Sequence, residues 1–226
     1  MVTCTTPPFR AAVRLNSGVR WLVKTLAILL ILFALPTAAS GPRYKIIAAE
    51  PLGQFMVFGL LDEEFEAEMR KAVADNPGLK RAYVESLGGR SMVAKRIAQL
   101  FNSKNISMRV GGKCASACVA LWAATDRREL TEKARLGLHA GVPVKEAPRL
   151  VEDIASSARQ KSTDDMLRNA GFSERLIAKG RQTPHDSMLW LTPAELASEG
   201  IKFTLISAPP NNSFKPSPLR GLGRAS

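Results

Sequence analysis

A serine in the middle of the chain has the surroundings of a reactive hydroxyl. Ser116 lies in the run Lys-Cys-Ala-Ser-Ala-Cys, directly before an apolar stretch that predicts a buried helix. A hydroxyl at a helix N-terminus lies near the positive end of the helix dipole and near free backbone N–H groups, which favour an alkoxide and can hold an oxyanion. Serine is also an ordinary helix cap at this position. Ser116 is therefore interpreted as either a nucleophile or an N-cap.

The chain has two histidines, and one of them follows a predicted strand. His139 ends the predicted strand 136–139, where an imidazole can act as general base toward a hydroxyl on a neighbouring element. A serine activated by such a base would hydrolyse acyl bonds.

Between residues 43 and 206, apolar residues recur with a helical period in some stretches and with a strand period in others, in alternation. This pattern predicts an α/β layer fold. The predicted strands are 43–49, 54–60, 81–86, 106–110, 136–139 and 201–206. The predicted helices are 62–74, 91–102, 116–124, 148–169, 173–179 and 193–199. In the helix 91–102, four residues are expected to face the core: Met92, Ile97, Leu100 and Phe101.

Two of these strands end at glycine pairs, Gly88-Gly89 and Gly111-Gly112, and a helix follows each. Open α/β sheets bind ligands at the carboxyl edge of their strands, so we expect both glycine turns to flank the site. The alternative is that paired glycines only make tight turns.

The N-terminus has the three parts of a secretory signal. The apolar run 25–35 follows four positive charges and precedes Pro36 and small residues, with cleavage expected after Ala39 or Ser40. Eleven helical residues rise about 16 Å, less than the roughly 30 Å of a bilayer core, but a stretch counted from Trp21 would make an uncleaved anchor. Residues 1–39 are thus a signal peptide or a signal anchor. The domain 43–206 is expected to be periplasmic or otherwise exported, and it is tethered to the inner membrane only if the N-terminal segment is not cleaved.

Composition excludes several classes of protein. The 226 residues are 46% apolar with 3 Cys, which argues against a disordered chain or a disulfide scaffold. The net charge is +12, but Lys and Arg are scattered instead of interleaved with aromatics, so no nucleic-acid partner is expected. Residues 207–226, rich in Pro, Gly and Asn, predict a disordered tail.

The order of these motifs resembles the Clp-protease and crotonase superfamily. Val84-Glu85-Ser86-Leu87-Gly88-Gly89 is followed by a helix, a strand, Cys114-Ala115-Ser116-Ala117-Cys118 and Gly137-Leu138-His139. The sequence is similar to the exported, ClpP-like periplasmic proteins of bacteria, in which a Ser between two Cys precedes Gly-x-His. The resemblance covers about residues 55–206. It implies a ClpP/crotonase-like spiral of β-β-α units, with a parallel sheet and covering helices, and a homo-oligomer.

The resemblance also implies roles for individual residues. Ser116 would be the nucleophile and His139 its general base. Signal-peptide peptidases of the same superfamily use a Ser–Lys dyad instead, which makes Lys113 a rival base, although a side chain in the turn before the helix points away from the site unless the loop curls back. The backbone N–H groups of Gly89 and Ala117 would form the oxyanion hole. The implied activity is that of a serine peptidase or other serine hydrolase acting on a peptide or acyl substrate, without a cofactor or an ATP-dependent partner. The alternative is a catalytically inactive binding or assembly protein on the same fold.

The third member of the triad is ambiguous. A Clp-type triad ends with an Asp shortly before a sequence like the stretch 191–200 of this chain. Asp186 is the candidate for orienting His139. An alignment on Leu191, however, places Met188 at the position of the acid, so Asp186 requires a two-residue offset.

Two cysteines flank Ser116. Cys114 and Cys118 would be exported together, whereas Cys4 precedes the apolar run. They can form a disulfide in an oxidising compartment if Cys114 lies in the turn before the helix, which would clamp the loop that carries Ser116. The alternative is a pair of buried reduced thiols. No metal site is expected, because Cys-x3-Cys with one nearby His offers too few zinc ligands.

Overall fold

The computed structural model describes residues 44–49, 53–141 and 148–207. The strands are β1 (Tyr44–Ala49), β2 (Gln54–Gly59), β3 (Arg81–Glu85), β4 (Ser107–Val110), β5 (Lys113–Ala115), β6 (Arg128–Thr131), β7 (Arg135–Leu138), β8 (Leu189–Leu191) and β9 (Thr204–Ile206). The helices are α1 (Glu63–Asp75), α2 (Ser91–Ser103), α3 (Ala117–Ala124), α4 (Arg149–Asn169), α5 (Glu174–Gln182) and α6 (Pro193–Ser198).

The expected signal segment 1–39 and the tail from residue 208 lie outside the described residues. Within the described part, no helix combines the length and the apolar character that a membrane crossing requires.

Two sheets organise the fold. The larger has the strand order β1-β2-β3-β4-β6-β9, and all its neighbours are parallel except the antiparallel pair β1 and β2. The smaller has the order β5-β7-β8, in which β5 and β7 are parallel and β8 is antiparallel to β7. A bridge between Ser86 and Cys114 joins the end of β3 to β5. The predicted α/β class with a mostly parallel sheet is confirmed.

Local sequence explains where several helices begin. Asp62 precedes α1, and its carboxylate accepts a hydrogen bond from the Phe65 N–H at 2.9 Å. Ser173 caps α5 in the same way. At α6, the Thr192 hydroxyl accepts from the Glu195 N–H while the Glu195 carboxylate accepts from the Thr192 N–H, which is a capping box. These caps satisfy N–H groups that a helix cannot pair internally.

The core is centred on α3. All residues of this helix from Ala117 to Ala123 are buried. The helix packs against α2 and α4, and the indole N–H of Trp122 donates to the Glu129 carbonyl at 3.3 Å. A helix that is apolar on every side is stable only when it is packed on every side. α3 is therefore a rigid support for the residue at its start.

Some local expectations are wrong. Sequence periodicity does not predict β5, β6 or β8, because strands of three or four residues are too short to show a two-residue period. Met92 was expected in the core, but its side chain is 41% exposed. The buried stripe of α2 runs through Val93, Ile97 and Phe101, at helical spacing, and leaves Met92 to one side.

Candidate active site

Ser116 has an unusual backbone conformation. It joins β5 to α3 with φ 56° and ψ −126°, in a region that side chains other than glycine rarely adopt. Such a residue costs about 1–3 kcal/mol and persists only where the surroundings hold it. Its side chain makes no capping hydrogen bond to α3, although the residue stands at the N-cap position. The interpretation of Ser116 as a simple cap therefore finds no support, and its hydroxyl is left for other partners.

Backbone hydrogen bonds hold Ser116 in this position. Its N–H donates to the Gly137 carbonyl on β7 at 2.8 Å. The N–H of the preceding residue, Ala115, donates to the Ser86 carbonyl at 2.9 Å, and the Ser86 N–H donates to the Lys113 carbonyl at 3.1 Å. The nucleophile candidate is thus tied on one side to the strand that leads to His139 and on the other to the turn after β3.

The turn after β3 needs glycine at both of its positions. Gly88 and Gly89 have φ 110° and 142°. A Cβ on Gly88 would lie 2.7 Å from the Cβ of Ser116, and one on Gly89 would overlap the backbone of Leu61. Two hydrogen bonds hold the turn: the Leu61 N–H donates to the Gly88 carbonyl at 2.9 Å, and the Arg90 N–H donates to the Leu61 carbonyl at 2.8 Å. The Gly89 N–H takes part in neither bond. Gly89 lines the cleft beside Ser116.

A single cleft brings the predicted residues together. Ser116, His139, Gly89 and Ala117 all line a cavity with a volume of about 1150 Å³. The N–H of Ala117 belongs to the first turn of α3, where no intrahelical acceptor exists. The cleft therefore holds a hydroxyl, an imidazole and two backbone N–H groups, the components of an acyl-transfer site. The roles of these residues stay predictions.

His139 has the electrostatics of a base. Burial lowers its pKa below the ordinary 6.5, the nearby His185 lowers it further, and a backbone hydrogen bond with Ala140 opposes both. The imidazole is consequently neutral at pH 7 and able to accept a proton. Its buried Nδ1 has no hydrogen-bond partner among the described residues. Within the part of the chain that the structure describes, no acid therefore fixes the tautomer of this imidazole, as one does in a triad.

The segment 183–188 lies beside His139 but supplies no carboxylate to Nδ1. The Ala140 N–H donates to the Thr183 carbonyl at 2.8 Å. β7 pairs with β8 so that Leu138 faces Leu189, and Met188 directly precedes this pair. Asp186 is exposed on the same turn. The assignment of Asp186 as the third triad member stays a prediction, and no hydrogen bond joins its carboxylate to the His139 Nδ1.

Met188 occupies the position that the alignment on Leu191 gives to the acid. Its sulfur packs against Gly137, 2.6 Å from where a Cβ on that glycine would lie. A thioether cannot replace a carboxylate as acceptor for an imidazolium N–H. The closeness of His185 to His139 was not predicted, because it depends on the register of β7 and β8.

The second glycine pair has another purpose. Neither Gly111 nor Gly112 lines the cleft, so the expectation that both glycine turns flank the site is wrong. A Cβ on Gly111 would overlap the Tyr83 hydroxyl, and one on Gly112 would lie 2.6 Å from a Glu85 carboxylate oxygen. These glycines make room for two side chains of β3.

The rival base points elsewhere. Lys113 is exposed, and its Nζ lies 5.5 Å from the centre of the Trp190 ring, in a cation–π contact. It does not line the cleft that holds Ser116. The geometry favours His139 as the base.

A disulfide brackets Ser116. Cys114 on β5 and Cys118 in the first turn of α3 are bonded, with their Cα atoms 5.3 Å apart. Both residues are fully buried. The bond thus links the two elements that meet at Ser116. Within the described residues, no group of three or more His, Cys, Asp or Glu side chains is placed to hold a metal ion.

The fold belongs to the ClpP/crotonase-like class, as expected from the sequence. Solved structures of ClpP1 from Listeria monocytogenes are similar, with a TM-score of 0.55 and 17% identity, over 70% of this chain and 92% of that one. A point mutant of the same ClpP1 gives a TM-score of 0.55 and 17% identity, over 69% and 91% of the two chains. No protein-family model and no curated protein matches the sequence. At this identity the likeness concerns the fold, and the roles of residues depend on the geometry of the cleft.

Proposed function

We propose that this protein is a serine hydrolase of peptide or other acyl bonds, with Ser116 as nucleophile and His139 as general base. The observation that carries the proposal is the strained, uncapped Ser116, held in one cleft with a neutral histidine. Strained residues of this type cluster at catalytic sites, where a sharp strand-to-helix turn presents a nucleophile.

The geometry supports a two-step reaction. His139 takes the proton of the Ser116 hydroxyl while Oγ attacks the substrate carbonyl, and the N–H groups of Gly89 and Ala117 stabilise the oxyanion. The protonated His139 then gives its proton to the leaving group, which leaves an acyl-serine. His139 next activates a water molecule, which releases the acid and restores the hydroxyl. This scheme requires only the residues of the chain.

The proposal places the protein outside the cytoplasm. The apolar run behind four positive charges supports export, and a disulfide between Cys114 and Cys118 is favoured in an oxidising compartment. A hydrolase in that compartment would act without an ATP-driven unfoldase. We also propose a homo-oligomer, which sedimentation equilibrium of the purified protein would test.

A fluorophosphonate probe tests the proposed chemistry. We expect the probe to label the wild-type protein and to leave Ser116→Ala and His139→Ala unlabelled. Ser157→Ala is the matched control, because Ser157 lines the same cleft on α4 and its loss should leave labelling unchanged. Labelling that persists in Ser116→Ala, or that never occurs in the wild type, would contradict the proposal and favour a binding protein.

A further inference from the structure

Ser86 is a buried serine that stands between the glycine turn and the strand leading to Ser116. It directly follows β3, it is only 4% exposed, and it does not line the cleft. A buried hydroxyl needs hydrogen-bond partners, because an unpaired polar group inside a protein costs free energy. The partners of Ser86 therefore show what its side chain holds in place.

The hydroxyl of Ser86 binds the turn that contains Gly88 and Gly89. Its Oγ accepts a hydrogen bond from the Gly88 N–H at 3.0 Å and donates to the Gly59 carbonyl at the end of β2. Oγ also lies 3.3 Å from the Gly88 carbonyl. The first N–H of the turn is thus fixed by a side chain, and the next one belongs to Gly89, which lines the cleft.

The main chain of Ser86 binds the strand that leads to Ser116. Its N–H donates to the Lys113 carbonyl at 3.1 Å, and its carbonyl accepts from the Ala115 N–H at 2.9 Å. The turn and the nucleophile candidate also pack closely, since a Cβ on Gly88 would lie 2.7 Å from the Cβ of Ser116. One residue therefore connects the glycine turn with the strand that carries the nucleophile candidate.

From these contacts we propose that Ser86 is a positioning residue for the reaction of Ser116. Its hydroxyl holds the turn so that the Gly89 N–H keeps its place in the oxyanion hole while charge develops on the substrate oxygen. Two consecutive glycines have more conformational freedom than other residues, so a side-chain tether has a large effect on such a turn. This role depends on the proposed function, because it serves the same site.

Ser86→Ala tests this role through the kinetics of fluorophosphonate labelling. The variant loses the acceptor of the Gly88 N–H and keeps the main-chain bonds to β5. The matched control is Ser107→Ala at the start of β4, where the hydroxyl is also buried, donates to the Lys80 carbonyl at 3.3 Å and lies outside the cleft.

Each full-length protein is titrated with the probe. The titration gives a maximal labelling rate, a half-saturating probe concentration and a final labelled fraction. Circular dichroism verifies that each variant is folded.

We expect Ser86→Ala to lower the maximal labelling rate by about tenfold, less than the roughly 100-fold loss that follows removal of an oxyanion donor. The half-saturating concentration and the final labelled fraction should stay within about twofold of wild type, because the turn acts in the transition state. Ser107→Ala should label at the wild-type rate. A purely structural role would instead lower the final labelled fraction.

Ser86→Thr keeps the hydroxyl and separates its effect from that of a smaller side chain. We expect this variant to label within about threefold of wild type, because threonine offers the same donor and acceptor. A folded Ser86→Thr variant as slow as Ser86→Ala would overturn the role. A fall of the labelled fraction in Ser86→Ala without a fall of its maximal rate would also overturn it.

The outcomes for the wild type and for the alanine variants separate the two proposals. A wild type that no fluorophosphonate labels would remove the hydrolase and the role of Ser86 with it. Labelling of the wild type, with equal rates in Ser86→Ala and Ser107→Ala, would retain the hydrolase and remove the role of Ser86.

Discussion

At the scale of single residues, the candidate site differs from a full triad in the surroundings of His139. Its Nδ1 is buried without a partner among the described residues, and the Met188 sulfur packs against Gly137, two residues before it. An acid at this point would hold the imidazole in the reactive tautomer and stabilise the imidazolium. The described residues thus supply a serine and a histidine without an acid at Nδ1, and under the proposed function we expect slow chemistry.

Met188→Asp would place a carboxylate at the position that the alignment on Leu191 gives to the acid. We expect it to raise the rate of fluorophosphonate labelling by about tenfold, because an acid at Nδ1 favours the charged form of the base. Met188→Asn is the control, since it has the same shape without the charge. Equal rates in the two variants would show that a carboxylate at position 188 does not act on His139.

The pH profile of labelling reports the pKa of His139. Burial and the nearby His185 hold this pKa below 6.5, so the imidazole stays neutral and the rate stays constant from pH 8 to about 6.5 before it falls. His185→Gln removes one cause of the lowering and should move the midpoint to higher pH. A wild-type midpoint above 6.5 would contradict this account of the base.

The same lowered pKa affects stability. Below pH 6.5 the unfolded chain binds a proton that the folded chain does not yet bind, so the free energy of unfolding should decrease as the pH falls through this range. Urea unfolding of wild type and His139→Gln at two pH values would show the difference.

The sequence predicts the serine and the histidine because each stands at the end of an element with a clear apolar pattern. It cannot predict the partner of His139. Asp186 and Met188 are both plausible from spacing alone, and only the fold shows that Met188 packs against Gly137 while Asp186 is exposed.

At the scale of elements, the junction of β5 and α3 is held covalently. The disulfide between Cys114 and Cys118 joins the two sides of Ser116, where hydrogen bonds from Ser116 and Ala115 also converge. A strained turn requires such support. A strand as short as β5 does not show a two-residue apolar period, so the sequence does not predict it. The longer amphipathic helices α1 and α2 are predicted to within one residue of their ends.

Cys114→Ala with Cys118→Ala should destabilise the fold by roughly 2 kcal/mol, the chain-entropy value for a loop of this size. We also expect slower labelling of Ser116, because the strained turn loses its clamp. Urea denaturation and labelling rates measure the two effects. A double variant as stable as the wild type would disprove the clamp.

The glycines outside the site can be tested against each other. Gly111→Ala should destabilise the protein by about 1–3 kcal/mol, because its methyl group would displace the Tyr83 ring. Gly78→Ala meets no atom within 4 Å and should be neutral or stabilising by up to about 1 kcal/mol. Thermal unfolding distinguishes them, and an equal loss in both would contradict the packing argument.

At the scale of the whole molecule, the alternation of helices and strands along the chain predicts the α/β class, and the likeness to ClpP1 structures agrees with it. Spacing along the chain does not predict which charged residues line the cleft. Arg90, Lys161 and Arg181 are far apart in sequence, and they line one cavity only after α2, α4 and α5 have packed.

Export is the prediction that concerns the whole chain. We expect an alkaline phosphatase fused after residue 206 to be active in a bacterial host when residues 1–39 are present and inactive when they are removed, since that enzyme folds only in an oxidising compartment. A β-galactosidase fusion should show the opposite pattern. Phosphatase activity that survives the deletion would contradict a signal in this segment.

The burial of α3 on every side has a consequence for how such a protein can diversify. Substitutions beneath Ser116 would open voids or clashes among fully buried side chains. The exposed side chains of α4 and α5 tolerate exchange at small cost. Related chains with new preferences should therefore differ mainly along those two helices, while the helix that follows the nucleophile keeps its small and apolar residues.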